Sequence, residues 1–318
     1  KAAIGGVRAT HSDPAKIQTC IDSLSFFSTF REKYGMEVGW KKGGYCFPVY
    51  TEALENTLRS FFPIQKQYGL AIDWLDADGI ADVVPGMERA ARAAGAEFHV
   101  HERVTGYTRE GDRVTGVITD RGTYSAGTVV LANGADAAAH GDLLGLSIPV
   151  QPDSHEAGIS APVRSFLPPL VVDMRPGPEG RTKNFYFGQV ETGQIIFCYT
   201  PSALFYGQNR ENRGEFMPTL AGRLVSLIPR MRNLLIRRIW RGLYPMTPDG
   251  VPIIDKPAGL DGLILAVGMC GQGFMLGPGV GHIITSFITE GHSFLPPGVQ
   301  ATFRFDRDFD AAATEALK

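Results

Sequence analysis

No stretch of this 318-residue chain approaches the ~18 consecutive apolar residues that a membrane-spanning helix needs. The opening Lys1–His11 shows no basic start, apolar middle and small-residue cleavage site, so a cytoplasmic protein is expected. Charge is scarce too: 31 basic and 33 acidic side chains leave a net charge of −2, which builds no field for a polyanion. Nucleic acid is therefore not expected as a partner. The four cysteines, Cys20, Cys46, Cys198 and Cys270, lie far apart with no Cys-x-x-Cys pair. That spacing fits neither a disulfide framework nor a zinc or iron–sulfur centre, and no metal site is expected. Also missing is any G-x-G-x-x-G turn ahead of Gly268.

What is present is a glycine-dense turn in a telling place. The apolar run Leu263–Val267 leads into Gly268-Met269-Cys270-Gly271-Gln272-Gly273-Phe274-Met275-Leu276-Gly277-Pro278-Gly279-Val280-Gly281 and then the apolar Ile283–Ile288. A strand, a glycine turn and a helix bring main chain close to a ligand and offer it free N–H groups. Taken alone, the turn reads equally well as structural punctuation.

Periodicity organises the rest. Apolar Ile17, Ile21, Leu24, Phe27 and Phe30 recur at three- and four-residue steps and predict a helix over 15–34, with Asp13 and Pro14 as its start. A strand is expected over 42–50, a helix over 52–68, a strand over 70–75 and a helix over 88–94. Strands are expected over 97–100, 104–108 and 114–119, with hairpin turns at 109–112 and 120–122. Residues 129–132 read as a buried strand ending in the glycine turn Asn133-Gly134-Ala135. From 149 to 239 the apolar positions alternate, which predicts half-buried antiparallel strands, a helix over 216–227 and a strand over 233–239.

The run Trp240-Arg241-Gly242-Leu243-Tyr244-Pro245-Met246-Thr247-Pro248-Asp249-Gly250-Val251-Pro252-Ile253-Ile254-Asp255 precedes the glycine turn. Together they resemble the C-terminal flavin-binding half of the D-amino-acid oxidase superfamily, in its glycine oxidase, sarcosine oxidase and dye-linked proline dehydrogenase branch. Members carry a Thr-Pro-Asp-Gly-x-Pro-x-Ile run followed by a Gly-x-x-Gly-x-Gly-Phe turn against the flavin. Phe303-Arg304-Phe305-Asp306-Arg307-Asp308-Phe309 resembles the family's Phe-x-x-x-Arg-Phe ending, and Ala77–Pro85 its turn helix.

The resemblance implies an α/β fold with α+β elements: an FAD-binding Rossmann-like domain over 1–19, 86–148 and 240–318, and an antiparallel-sheet substrate domain over 20–85 and 149–239. The first βαβ unit, about 30 residues long, is not in the residues present. Several dozen family residues are also unmatched at Met87/Glu88, so a discontinuity is expected there.

By the same resemblance FAD is the cofactor. Its site would draw on Gly5, Gly6, Val104, Ala132, Gly134, Gly268, Cys270, Gly271, Gln272, Gly273, Phe274 and Met275. Gly242 stands where monomeric sarcosine oxidases tether flavin through cysteine, so binding should be non-covalent. Arg8 is the candidate positive group near the ring, although a surface ion pair explains it equally well. Tyr244 stands where glycine oxidases place the carboxylate-binding arginine, and Met275 where sarcosine oxidases place a lysine. Tyr186, Tyr199 and Tyr206 read better as half-buried sheet residues, His11 as a polar supporting residue, and His155 is weaker still.

The expected reaction is hydride removal from a small amino acid or N-methyl amino acid such as sarcosine, proline or glycine. A dye, a quinone or a partner subunit in a hetero-oligomer would take the electrons. Two alternatives stay open: a glycerol-3-phosphate dehydrogenase-like reaction, and a non-catalytic flavoprotein subunit.

Overall fold

A computed structural model describes residues 7–36, 38, 40, 45–47, 52–70, 90–167, 169–190 and 192–310. Gly5, Gly6, the junction Met87/Glu88, the strand read over 70–75 past Leu70 and the turn helix over 77–85 lie outside them.

In chain order the first elements are α1 (Pro14–Tyr34), β1 (Tyr45–Cys46), α2 (Glu52–Ser60) and α3 (Phe62–Gln67). Asp13 opens α1, its Oδ1 accepting the Lys16 N–H at 3.0 Å, while Pro14 supplies a helix-ready φ. The single helix expected over 52–68 is instead two, because Pro63 starts a new helix after Phe61 rather than continuing the old one. A meander follows: β2 (Val104–Glu110), β3 (Arg113–Thr119) and β4 (Thr123–Ser125). Then come β5 (Val129–Leu131), α4 (Ala137–Leu144), β6 (Gln151–Ser160), β7 (Leu170–Asp173), β8 (Thr182–Gln189), β9 (Ile195–Pro201) and α5 (Phe216–Leu227). The chain closes with β10 (Ile236–Met246), β11 (Ile253–Asp255), β12 (Leu263–Val267), α6 (Gly273–Thr289) and α7 (Pro297–Gln300).

Two compact units emerge: 1–10, 24–87 and 153–243 form one, and 11–23, 88–152 and 244–318 the other. The first holds a six-stranded sheet in the order β1-β7-β8-β9-β6-β10. Pairing is antiparallel through β7, β8, β9 and β6, as the alternating sequence predicts. Phe185 pairs with Tyr199 and Phe187 with Phe197, and these rings bury against Phe216, Leu220 and Leu224 of α5. Each such side chain contributes about 1.5–3 kcal/mol of burial.

The second unit carries two three-stranded sheets, β11-β12-β5 and β2-β3-β4. β5 and β12 run parallel, with Val129, Val130 and Leu131 opposite Leu263, Ile264 and Leu265. β12 is buried along its whole length. β5 departs from the fully buried strand expected: Val129 and Leu131 enter the core, while Val130 is 36% exposed and Ala132 is exposed. The reason is its place at the sheet edge among the described residues, where alternate residues face away from the core. The strand expected over 97–100 does not form. Phe98 and Val100 are exposed, and no described strand pairs with the segment, so its apolar residues have no ladder to join.

Within this unit α6 contains Pro278, which cannot donate a helical hydrogen bond. Ser23 splints the helix there: its Oγ accepts the Gly279 N–H at 2.8 Å and lies 3.3 Å from the Leu276 carbonyl oxygen. A methyl group on Gly279 would sit 2.2 Å from the Thr19 carbonyl oxygen, so α1 and α6 meet backbone to backbone.

Candidate functional site

The turn between β12 and α6 is built on left-handed backbone. Gly268 has φ +71°, Cys270 +49° and Gly271 +79°. A non-glycine residue at positive φ is costly and has to be held there. Cys270 is held by its own side chain. The Sγ donates to the Gly268 carbonyl at 3.0 Å, accepts the Thr247 N–H at 3.4 Å and lies 3.2 Å from Thr247 Oγ1. Its N–H donates to the Pro245 carbonyl at 3.1 Å. Cys270 therefore locks the turn onto the Thr-Pro-Asp-Gly run.

Two glycines make room for that lock. A β-carbon at Gly268 would fall 2.4 Å from Thr247 Cγ2, and one at Gly271 would fall 2.4 Å from the Tyr244 ring. The Tyr244 ring thus packs against the turn, half-buried. Gln272 caps α6 from a buried position. Its side chain makes no capping bond, and its Oε1 has no partner among the described residues. Gly273, Phe274 and Met275 form the first turn of α6, all half-buried. An exposed Gly271, a helix N-terminus without a side-chain cap and an acceptor unsatisfied among the described residues together fit an anionic or polar cofactor laid along the turn. These residues fit FAD, and Gly268 to Met275 would hold it.

The Thr-Pro-Asp-Gly run is itself clamped. Asp249, almost fully buried, accepts Arg307 Nε at 2.7 Å on Oδ2 and Arg307 Nη2 at 3.1 Å on Oδ1. Arg307 also donates to the Val251 and Pro252 carbonyls. The fully buried Lys16 reaches the same run, its Nζ 3.0 Å from the Gly250 carbonyl oxygen. Burial pushes the Asp249 carboxyl up, but the hydrogen bonds from Arg307 and Val251 outweigh it and hold the group below its ordinary value.

Other expected site residues fall elsewhere. Ala132 and Gly134 follow β5 in the same unit, Gly134 at φ +58°, and Val104 opens β2, half-buried. Arg8 belongs to the other unit. There it is buried, donates to the Thr10 carbonyl and stands 5.5 Å from the centre of the Phe47 ring. It is buried rather than at the surface. Tyr199 packs against Phe216 at 5.2 Å, and burial pushes its hydroxyl up to about 12, which makes it a core residue. Tyr206 is 53% exposed. His155 is buried beside Asp153, 3.0 Å from Oδ2, and His11 is buried 3.5 Å from Cys20 Sγ. Thr247, Lys16 and Arg307 were not foreseen as site residues. Only the resemblance of the 303–309 segment to the family's ending hinted at the last.

Residues 79–287 match the model of the FAD-dependent oxidoreductase family DAO, and the chain belongs to that family. FAD is the family's cofactor. Among curated proteins it is similar to a glycine oxidase of Pseudomonas aeruginosa, 29% identical over 252 residues, covering 75% of this chain and 66% of the relative. It is equally similar to the sarcosine oxidase subunit beta of Rhizobium meliloti, 29% identical over 222 residues, covering 70% of this chain and 50% of that one. The chain thus spans between about half and two-thirds of the length of these relatives. Among solved structures, L-proline dehydrogenase from P. horikoshii superposes with a TM-score of 0.85 at 25% identity, covering 98% of this chain and 88% of that one.

Proposed function

We propose that the protein is an FAD-dependent dehydrogenase of a small amino acid or N-methyl amino acid, of the sarcosine, proline or glycine type. The observation that carries this reading is the turn itself: Cys270 locked at positive φ, an exposed Gly271 with no room for a side chain beside the Tyr244 ring, and Gln272 Oε1 unsatisfied among the described residues at the start of α6. Bound FAD supplies the hydride acceptor. The chain supplies the rest. The N-terminus of α6 favours negative charge laid against it, and the glycines let the main chain approach closely. Tyr244 orients the substrate carboxylate through its hydroxyl, which donates a hydrogen bond without adding charge. Arg8 stays the candidate positive group of the other unit.

Electrons leave to a dye, a quinone or a partner subunit. Met275, where the resemblance places a lysine in sarcosine oxidases, is uncharged, as is Ile196 of β9. A partner subunit is supported by the similarity to a protein named as subunit beta of sarcosine oxidase.

The reading is tested by reconstituting the protein with FAD and adding sarcosine, L-proline or glycine without oxygen. Bleaching of the flavin absorbance by one of them is the expected result. Bleaching by glycerol 3-phosphate instead, or by none of these compounds, sinks it.

A further inference from the structure

Two amide side chains in the second unit stand in the same unusual state. Asn133 precedes the 3₁₀ turn Gly134–Asp136 that leads into α4, and Gln272 precedes α6. Asn is among the best residues for capping a helix start through its side chain, yet neither Asn133 nor Gln272 makes a capping bond. Both polar atoms of the Asn133 amide, Nδ2 and Oδ1, are buried without a partner among the described residues, as is Gln272 Oε1. Swapping the oxygen and nitrogen of Asn133 changes nothing, since both are unsatisfied.

The topology places both residues beyond the carboxyl ends of two neighbouring strands. β5 and β12 are parallel neighbours, and Leu131 lies opposite Leu265. Asn133 comes two residues past Leu131, level with Val267, where the Gly268–Gln272 turn begins. Ligands of α/β sheets bind at the carboxyl ends of such strands. Buried polar groups without partners are rare and demand an explanation.

The unsatisfied set is one donor and two acceptors. A phosphate or carboxylate oxygen satisfies only the donor, because it brings no hydrogen. A hydroxyl both donates and accepts, so a polyol meets all three. Resting on the reading that the chain binds FAD, we infer that Asn133, together with Gln272, hydrogen-bonds the sugar-alcohol hydroxyls of the dinucleotide rather than its phosphates or its ring.

The test titrates FAD, and separately lumiflavin, which carries the ring without the polyol, into the apoprotein of the wild type and of Asn133→Leu, following flavin fluorescence. Melting curves of both apoproteins run alongside. The FAD Kd of Asn133→Leu is expected to rise about tenfold or more, with lumiflavin binding unchanged. The apoprotein should melt no lower than the wild type, since the substitution removes an unsatisfied buried amide. Asn133→Ala, which adds no volume, should weaken FAD in the same way where leucine crowds the loop. Gln272→Met should show the smaller loss of a single acceptor. An unchanged FAD Kd in both Asn133 variants overturns the inference and leaves the FAD reading standing. Equal weakening of FAD and lumiflavin also overturns it, as does a lower melting point in both apo variants, which would mean the amide has a partner within the protein. Absence of saturable FAD uptake by the wild type overturns the functional reading and this inference together.

Discussion

Arg307 grips Asp249 from 58 residues away with two charge-assisted hydrogen bonds, of 2.7 and 3.1 Å, and both side chains are nearly buried. The pair fixes the run that holds Cys270 in place, so its loss should be felt at the turn. Breaking a buried pair from one side costs about 3–5 kcal/mol, because the other charge is left unpaired. Arg307→Ala is expected to lower stability by that order and to weaken FAD binding. Denaturant unfolding and flavin titration check both; a variant with unchanged midpoint and affinity would remove the clamp from the argument.

The same pair sets an acid limit. The Asp249 carboxyl is held below its ordinary 3.8 in the folded protein, so the unfolded chain binds the proton first as pH falls. The stabilisation is fully present above about pH 4 and is lost as pH drops through the lowered folded value. Asp249→Asn should therefore be destabilised at neutral pH and show a shallower loss of stability below pH 4 than the wild type. Parallel acid titration curves would count against this.

At Gly271 both backbone and space forbid a side chain. Its φ is +79°, and a methyl group would lie 2.4 Å from the Tyr244 ring. Gly271→Ala is expected to cost about 2–4 kcal/mol, from the left-handed strain together with overpacking. Tyr244→Ala in the same chain should recover the packing part and leave the strain. Additive losses in the double variant, measured by denaturant unfolding, would mean that the ring does not rest on the turn.

These relationships mark where the sequence was readable. Leu263–Val267, Val129–Leu131 and the 216–227 helix were legible because each has a local pattern of apolar residues that tertiary packing then used. The break at Phe61 was equally local, yet the periodicity through Pro63 masked it. Strand formation over 97–100 was not legible, because Phe98 and Val100 needed a neighbour that composition does not reveal. The turn was visible as a string of glycines. Its lock was not, since Thr247, Lys16 and Arg307 reach it from segments up to hundreds of residues away. No rule of spacing marks Lys16 as buried; its Nζ finds the Gly250 carbonyl only once α1 is docked.

Ser23 is buried, and its hydroxyl serves α6 where Pro278 interrupts it. Ser23→Ala leaves the Gly279 N–H without that acceptor, at a cost of about 1–3 kcal/mol. Faster hydrogen exchange at Gly279 should accompany the loss, and exchange as slow as in the wild type would show that the splint carries no weight.

A bound flavin would supply the electrons for any reaction with oxygen, and a fixed positive side chain nearby would favour that reaction by stabilising developing negative charge. With Ile196 and Met275 uncharged, the reduced holoprotein is expected to reoxidise slowly in air and to turn over quickly with a dye or quinone. Stopped-flow mixing with oxygenated buffer decides it: reoxidation at oxidase-like speed would return the protein to the oxidases.

The pairing of β5 with β12 joins Val129 to Leu263, 134 residues apart, and the 153–243 segment of the other unit comes between them in chain order. On the ribosome, at about 5–20 residues per second, β5 waits roughly 7–27 seconds for its partner strand. During that interval Val129 and Leu131 lack the cover that β12 provides, while the intervening antiparallel sheet is already synthesised and can close on itself. The unit that carries the turn is therefore the last to be completed, and the nascent chain is most exposed to misassembly in the seconds before Leu263 emerges.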